Sequence, residues 1–406
     1  MSEALLPHIP ERFRLSPEFR LLVACSWIAP PELEQEQAEK IVSLFAGGIT
    51  WDVFLSLVRR HGVFPLVYTL LCRYAAEQMT DDIRAGLKAY YVQTVVQSMR
   101  QSAEMVRIGK LLAEHSVTPI VMKGVVLAQS LYGNAALRKS ADIDLMVRVE
   151  DFDRTDKLIR EDGYECTSPG SNLTDRQKSF FRSIGQNYEY YHPQQGIALE
   201  LHWRSYLWTR EQTELLWEHC EPVSFMGQTF YSWNDELLLL TLCYHGAHHE
   251  WSSLKWTGDI AVLLSREHSE GWENLLRLTE QLGMRRVLAQ SLLLVHWLYG
   301  IQLPGVLHVV IREEKLSVSL ATKAMNRLMQ SAEELATAGK RLDGLRHACY
   351  LVQLGLPKSE ITKSMTIKYP DFKEFPLPNS LFWLYIPLRP VLWFWRNYLS
   401  PQKNVQ

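Results

Sequence analysis

The chain has 406 residues and a mass of 47.0 kDa, too long for one simple core and suited to two or three domains at roughly 150 residues each. Hydrophobic residues make up 47% and charged residues 22%, an ordinary globular usage that excludes collagenous, mucin-like and intrinsically disordered chains. The 43 basic and 45 acidic residues give a formal charge of -2, and without any dense Lys/Arg run the chain offers no footprint for stable binding of duplex nucleic acid.

The opening Met1-Ser2-Glu3-Ala4 lacks the basic and apolar regions of a secretory signal. Six cysteines, Cys25, Cys72, Cys166, Cys220, Cys243 and Cys349, are scattered with no CxxC pair and read as reduced thiols of a cytoplasmic protein.

From Leu21 to His115 apolar residues recur at helical spacing, as in Trp51, Phe54, Leu55, Leu57 and Val58 before His61-Gly62, and again along Ile83 to His115. Residues 1–115 are therefore expected to form an N-terminal helical region. The texture then changes: Pro119-Ile120-Val121-Met122 is a short apolar run, Lys123-Gly124 a turn, and Val125 to Tyr132 a helix. After the polar loop Arg138-Lys139-Ser140, the segment Asp142-Ile143-Asp144-Leu145-Met146-Val147 alternates strictly, the pattern of a half-buried strand with Asp142 and Asp144 on one face. A helix over Asp151 to Asp162 closes at Gly163. Two strands, Asn187 to His192 and Ile197 to His202, flank the turn Pro193-Gln194-Gln195-Gly196, and Glu200 and His202 share a face. Residues 116–205 thus form a core with a small mixed sheet.

Beyond Trp203 the pattern is mostly helical again through 206–345, with Asn234 placed to cap a helix that begins at Asp235 and Glu236. The final stretch, 346–406, contains the aromatic run Leu381 to Trp395, which Pro387, Arg389 and Pro390 interrupt well short of the roughly 20 apolar residues needed to cross a bilayer. Its Trp, Tyr and Arg content would also suit a membrane interface, but a packed segment is favoured over a membrane-surface contact through 381–395. The fold class is α+β, a mixed-sheet core flanked by N- and C-terminal helical domains.

Two aspartates separated by one residue on a strand, with Glu200 on a neighbouring strand, make a rigid oxygen-rich cluster able to hold hard divalent cations. Two such ions can orient an attacking oxygen and stabilise a leaving pyrophosphate. Gly124 lets backbone N–H groups approach an anion at a helix N-terminus, with the Lys123 charge beside it.

The order of these pieces is specific. Lys123-Gly124, Leu131-Tyr132, Arg138, Asp142-Ile143-Asp144-Leu145, Gly163-Tyr164 and Leu199-Glu200-Leu201-His202-Trp203 follow one another as in the nucleotidyltransferase fold associated with DNA polymerase beta. The chain resembles the uncharacterised nucleotidyltransferase family within that superfamily. The resemblance extends upstream through Trp51-Asp52 and His61-Gly62-Val63, and downstream through His245-Gly246, Trp251, Leu254, Trp256 and Asp259. Val125 departs from the second small residue usual at the superfamily's glycine turn.

The resemblance implies Mg2+- or Mn2+-dependent transfer of a nucleoside monophosphate from a nucleoside triphosphate, ATP or another, to an unidentified acceptor. Asp142 and Asp144 would bind metal, Glu200 would be the third acid, and Lys123, Gly124, Arg138 and Ser140 would surround the phosphates. His202, His245, His249 and Trp256 are candidate wall residues of the substrate site; His245 and His249 lie four apart on one helical face, but the motif is not HExxH, which disfavours zinc. The acceptor is open between a small molecule, a peptide or protein side chain and an RNA end, the last disfavoured by the near-neutral charge. A non-catalytic scaffold for a peptide or partner enzyme is the competing class, and a retained cluster of three acids argues against it.

Overall fold

The computed structural model describes residues 6–170, 173–204, 210–266, 272–331, 333–334, 340–356 and 369–395. The N-terminal part is helical: α1 (Pro17–Ala24), α2 (Pro31–Ala46), α3 (Trp51–His61), α4 (Phe64–Tyr74) and the 34-residue α5 (Asp81–Glu114). At 1.5 Å per residue α5 is about 50 Å long. It leads into β1 (Ile120–Val121), α6 (Val125–Tyr132), β2 (Asp142–Met146), α7 (Phe152–Glu161), β3 (Glu165–Ser168), α8 (Asp175–Ile184), β4 (Asn187–His192) and β5 (Ile197–His202).

The stretch after Trp203 is not wholly helical. Following α9 (Arg210–Glu218), a hairpin of β6 (Cys220–Phe225) and β7 (Gln228–Trp233) turns through Met226 and Gly227, both with positive φ, 48° and 76°. Such a two-residue turn matches the right-handed twist of the flanking strands. Helices then resume: α10 (Asp235–His248), α11 (Leu254–Leu264), α12 (Trp272–Gln281), α13 (Arg285–Tyr299), α14 (Gly305–Glu313), α15 (Ser317–Met329), α16 (Lys340–Gln353), α17 (Tyr369–Glu374) and α18 (Tyr385–Phe394).

The seven strands form one mixed sheet in the order β3-β4-β5-β2-β1-β7-β6. β2 pairs parallel with β5 and β1 parallel with β7, while the other neighbours are antiparallel. Alternation along β2 sends Ile143 and Leu145 into a core with Leu199, Leu201, Phe152 and Trp203. On the opposite, aspartate-bearing face Asp144 is fully buried. The reason is β7, which lies beside β1 and runs straight into α10, so that the helix covers this face. Asn234 sets the junction, its side chain accepting from Leu237 N–H at 3.1 Å and starting the helix at the expected residue.

The second, larger core joins both ends of the chain. Leu21, Leu22, Phe54 and Leu71 from the N-terminal helices pack in one cluster with Leu239, Ile260, Leu292 and Leu328 from the later ones. His61 stitches these parts: its carbonyl accepts from Ser253 Oγ at 2.7 Å and its Nδ1 from Leu254 N–H at 3.1 Å, which holds the start of α11. Burial and the neighbouring Arg60 keep this imidazole well below its usual pKa, in the neutral form that can accept.

At the C-terminal end Phe382, Tyr385 and Leu392 pack against Leu173 and Phe372, while Trp383, Ile386, Val391 and Phe394 remain exposed. The prolines do not end the helix: α18 runs through Pro390. Pro387 falls in its first turn, where no N–H is needed. Among the described residues no helix is long and apolar enough to cross a membrane.

Candidate active site

Register decides which side chains meet. β2 and β5 run parallel with Asp144 opposite Glu200 and Met146 opposite His202. Asp142, Asp144, Glu200 and His202 therefore stand on one face of two adjacent strands, held by backbone ladders and not by loops. Across the β4–β5 hairpin, Asn187 is opposite His202 and Glu189 opposite Glu200, which brings Asn187 Nδ2 to donate to Glu200 Oε2 at 3.2 Å.

The ammonium of Lys123 lies 3.0 Å from Asp144 Oδ1. His202 Nε2 is 3.6 Å from the same oxygen and 3.1 Å from Glu200 Oε2. Asp144 Oδ2 is buried with no hydrogen-bond partner among the described residues, an arrangement that costs about 1–3 kcal/mol for an ordinary polar group and more for a charged one. Asp144, Glu200 and His202 each offer one ligand atom within 4.8 Å of the others. A carboxylate cluster with an orphaned buried oxygen is a fit receptacle for a divalent cation.

Electrostatics separates the two aspartates. Burial would raise the Asp144 pKa, but Lys123 and His202 hold it well below the usual carboxylate range. Asp142 is pushed up to about 7 by burial and by the neighbouring Asp144 charge, against the pull of Lys123. Lys123 itself is raised: burial opposes its charge, yet Asp144, Asp142 and Glu200 outweigh burial. Burial likewise opposes the His202 charge, while hydrogen bonds to Asp144 and Glu200 raise its pKa.

Beside this cluster opens a cavity of about 300 Å³, lined by Met122, Lys123, Asp142, Glu200 and His202 on the sheet side. Trp233 at the end of β7, and Tyr244, His245, His248 and His249 on and just after α10, line the opposite side. His249 stacks on Trp256 at 5.3 Å, and His245 meets the same ring edge-on at 5.3 Å. Burial and the Lys123 charge hold His245 well below the usual range and His249 at about 4, so this wall presents neutral imidazoles at pH 7.

A strained corner fixes that wall. Glu250 and Trp251, between α10 and α11, have φ of 51° and 56°, a left-handed pair costing about 1–3 kcal/mol per residue. Trp251 is fully buried against Gly246, where a Cβ would come within 2.5 Å of the indole. Glu250 Oε1 is 2.7 Å from His347 Nδ1 on α16. Packing and pairing together over-determine the corner.

Gly124 caps α6 with φ 85° and ψ −142°, a conformation open to glycine and not to side-chain-bearing residues. The first N–H groups of α6 lie beside Lys123, the geometry of an anion site at a helix N-terminus. Ser140 Oγ donates to the Asp142 carbonyl at 3.0 Å and braces the loop that faces this turn. Arg138, expected to face a triphosphate, is instead buried in an ion pair, its Nε donating to Asp259 Oδ2 at 2.8 Å. Tyr132 Oη donates to the other oxygen at 2.9 Å. Tyr132, Arg138 and Asp259, all residues of the sequence resemblance, thus form a fastening between the sheet region and α11.

Residues 47–300 match the family model for an uncharacterised nucleotidyltransferase. The chain belongs to that family. No curated protein and no solved structure matches it. The matched residues run from α3 through the last turn of α13 and so include the acidic cluster and the histidine wall, in a mixed α/β fold consistent with the family.

Two site residues escape the sequence patterns. Asn187 becomes visible only through the hairpin register set by the turn at 193–196. Lys255, at the start of α11, donates from Nζ to the Lys139 carbonyl at 3.3 Å. Burial, with Arg138 and Lys123 nearby, lowers its pKa to about 8; its only sequence signal is a place between Leu254 and Trp256.

Proposed function

We propose that the protein transfers a nucleoside monophosphate from a nucleoside triphosphate to an acceptor hydroxyl, releasing pyrophosphate, with Asp142, Asp144 and Glu200 as the acidic centre. The observation that carries this is the strand register that sets Asp144 against Glu200, with Asp142 on the same face and Lys123 and the glycine-capped α6 beside them. The family relation supports the reaction class. A divalent cation, magnesium or manganese, held by these carboxylates would neutralise charge on the α-phosphate and on the departing pyrophosphate.

The chain's own groups then have distinct tasks. Lys123 and the α6 N-terminus receive phosphate oxygens, so Lys123 exchanges its pairing with Asp144 for one with the substrate. The acceptor oxygen bonds to the α-phosphorus as the bond to the bridging oxygen breaks, and its proton passes to Glu200, whose side chain faces the cavity. The neutral imidazoles of His245 and His249, backed by the Trp256 ring, offer hydrogen bonds and stacking surface without repelling either substrate. A cavity of about 300 Å³ favours a small molecule or a single peptide side chain as acceptor.

The test is thermal stability with each nucleoside triphosphate in turn, with and without magnesium or manganese, for wild type and the Asp142→Asn, Asp144→Asn double variant. Binding at 100 times Kd stabilises by about 2.7 kcal/mol. A metal-dependent stabilisation present in wild type and absent from the variant is expected. A folded wild-type protein that no triphosphate stabilises with either metal would sink the proposal and leave the scaffold as the better account.

A further inference from the structure

Resting on the metal-dependent reading above, we propose that the resident ion is a first-row transition metal, held by Asp144, Glu200 and the imidazole Nε2 of His202, in place of magnesium. The donor set is mixed, one nitrogen with two carboxylates, where an all-carboxylate centre was expected from the sequence. His202 was expected to line the substrate site or to hydrogen-bond a carboxylate, not to ligate a metal.

Geometry is the first support. Bonds of about 2.0–2.2 Å from a metal to nitrogen and oxygen place neighbouring donors about 3.0–3.6 Å apart. His202 Nε2 stands 3.1 Å from Glu200 Oε2 and 3.6 Å from Asp144 Oδ1, separations that span the edges of such a polyhedron. All three ligand atoms fall within 4.8 Å of one another. The donors need no loop closure to meet, because Asp144 and Glu200 are register partners and His202 follows two residues on along the same face of β5. A site on paired strands is rigid enough to select among ions.

Burial is the second. His202 is 2% exposed and Asp144 is fully buried, with Oδ2 lacking a hydrogen-bond partner among the described residues. Asn187 donates to Glu200 Oε2, the outer hydrogen bond that orients a ligating carboxylate. Glu200 and His202 both line the cavity, which gives an ion a path to the donors. Magnesium demands near-ideal octahedral oxygen coordination and sheds water reluctantly, so an enclosed imidazole in its shell is a poor exchange. Imidazole strengthens binding of transition metals relative to magnesium, and selectivity follows from ligand type.

Manganese is the probe, because it is paramagnetic and accepts both donor types. Pulsed electron paramagnetic resonance on the full chain, natural-abundance and with 15N only in histidine, reads a directly bonded histidine nitrogen as modulation that changes with the isotope. No substitution is needed for this measurement, so folding is not at issue. His202→Asn, which keeps a hydrogen-bonding group, and His245→Gln identify which imidazole is coupled.

The expected result is one manganese per chain, isotope-sensitive coupling that survives His245→Gln and disappears in His202→Asn, and displacement by magnesium only at a free concentration at least about tenfold higher. Affinity loss in His202→Asn alone is not decisive, since an outer-shell partner also costs about 10–100-fold; the coupling is. Manganese that binds without histidine coupling and is lost in Asp144→Asn overturns the nitrogen ligand and leaves the carboxylate reading intact. Coupling that vanishes in His245→Gln instead overturns the assignment to His202. A folded wild-type protein that binds neither manganese nor magnesium, with or without triphosphate, overturns the proposal and the metal-dependent reading together.

Discussion

Asp144 and Asp259 are both fully removed from solvent and both face a cation, yet only one of them is satisfied. Asp259, on α11, receives Tyr132 Oη on one oxygen and Arg138 Nε on the other, and those partners come from α6 and the loop after it. Asp144 faces Lys123 and His202 on Oδ1, has no hydrogen-bond partner for Oδ2 among the described residues, and shares its surroundings with Asp142 and Glu200. A buried pair with both carboxylate oxygens answered holds elements together; a crowded one keeps like charges close at a cost in stability, which is the mark of a site built for a ligand. The two clusters sit within one family-matched region, so their different chemistry is not a difference of context.

The largest expected effect is at the satisfied aspartate. Asp259→Ala strips Arg138 of its counter-charge while leaving the guanidinium buried, and loss of one partner from a buried pair costs about 3–5 kcal/mol. Urea unfolding should show that loss at pH 7. A change below about 1 kcal/mol would mean that Arg138 swings to another acceptor and that the fastening is not structural.

The second effect has the opposite sign. Asp142 is pushed from its ordinary value to about 7 in the folded protein, so in the metal-free state its contribution is fully present below about pH 4, where folded and unfolded chains are both protonated. As pH rises through 7 the unfolded chain has already ionised and the folded one resists, and that contribution is lost. Asp142→Asn, which mimics the protonated acid, should therefore be more stable than wild type at pH 8 by about 2–4 kcal/mol and equal to it near pH 4. Its metal-dependent stabilisation by triphosphate should be abolished. A difference that is flat between pH 4 and 8 would show that neither burial nor the Asp144 charge raises Asp142.

The acidic half of this contrast was legible in the chain and the fastening was not, and the limits have physical causes. Alternation along 142–147 was sufficient to put Asp142 and Asp144 on one face of their strand, and alternation along 197–202 to put Glu200 and His202 on one face of theirs, because strand period is local; that the two faces coincide is set by the long-range parallel pairing of β2 with β5. Full burial of Asp144 was not legible, since it depends on where β7 delivers α10, and β6 begins Cys-Glu-Pro with no clean apolar alternation to announce a strand. Arg138 presents the same difficulty more sharply. Its partner lies 121 residues away, and a basic loop residue beside a glycine turn reads equally well as a phosphate ligand until α11 is seen to close over it.

The smallest expected effect concerns the turn between the two clusters. Gly124 has φ 85°, and a Cβ there would meet the Asp142 carbonyl and Ser140 Oγ at 3.6 Å, ordinary contact distances. Space is therefore not the constraint; backbone conformation is. Gly124→Ala should cost about 1–2 kcal/mol of stability through the left-handed dihedral alone. If the α6 N-terminus receives phosphate, the same substitution should weaken triphosphate binding more than it weakens manganese binding, because relief of the strained turn would shift the first N–H groups of α6 while the metal donors lie on β2 and β5. Equal weakening of both ligands would show instead that the turn acts by positioning Asp142, through the carbonyl that Ser140 holds, and would move the phosphate contact from the helix terminus to Lys123.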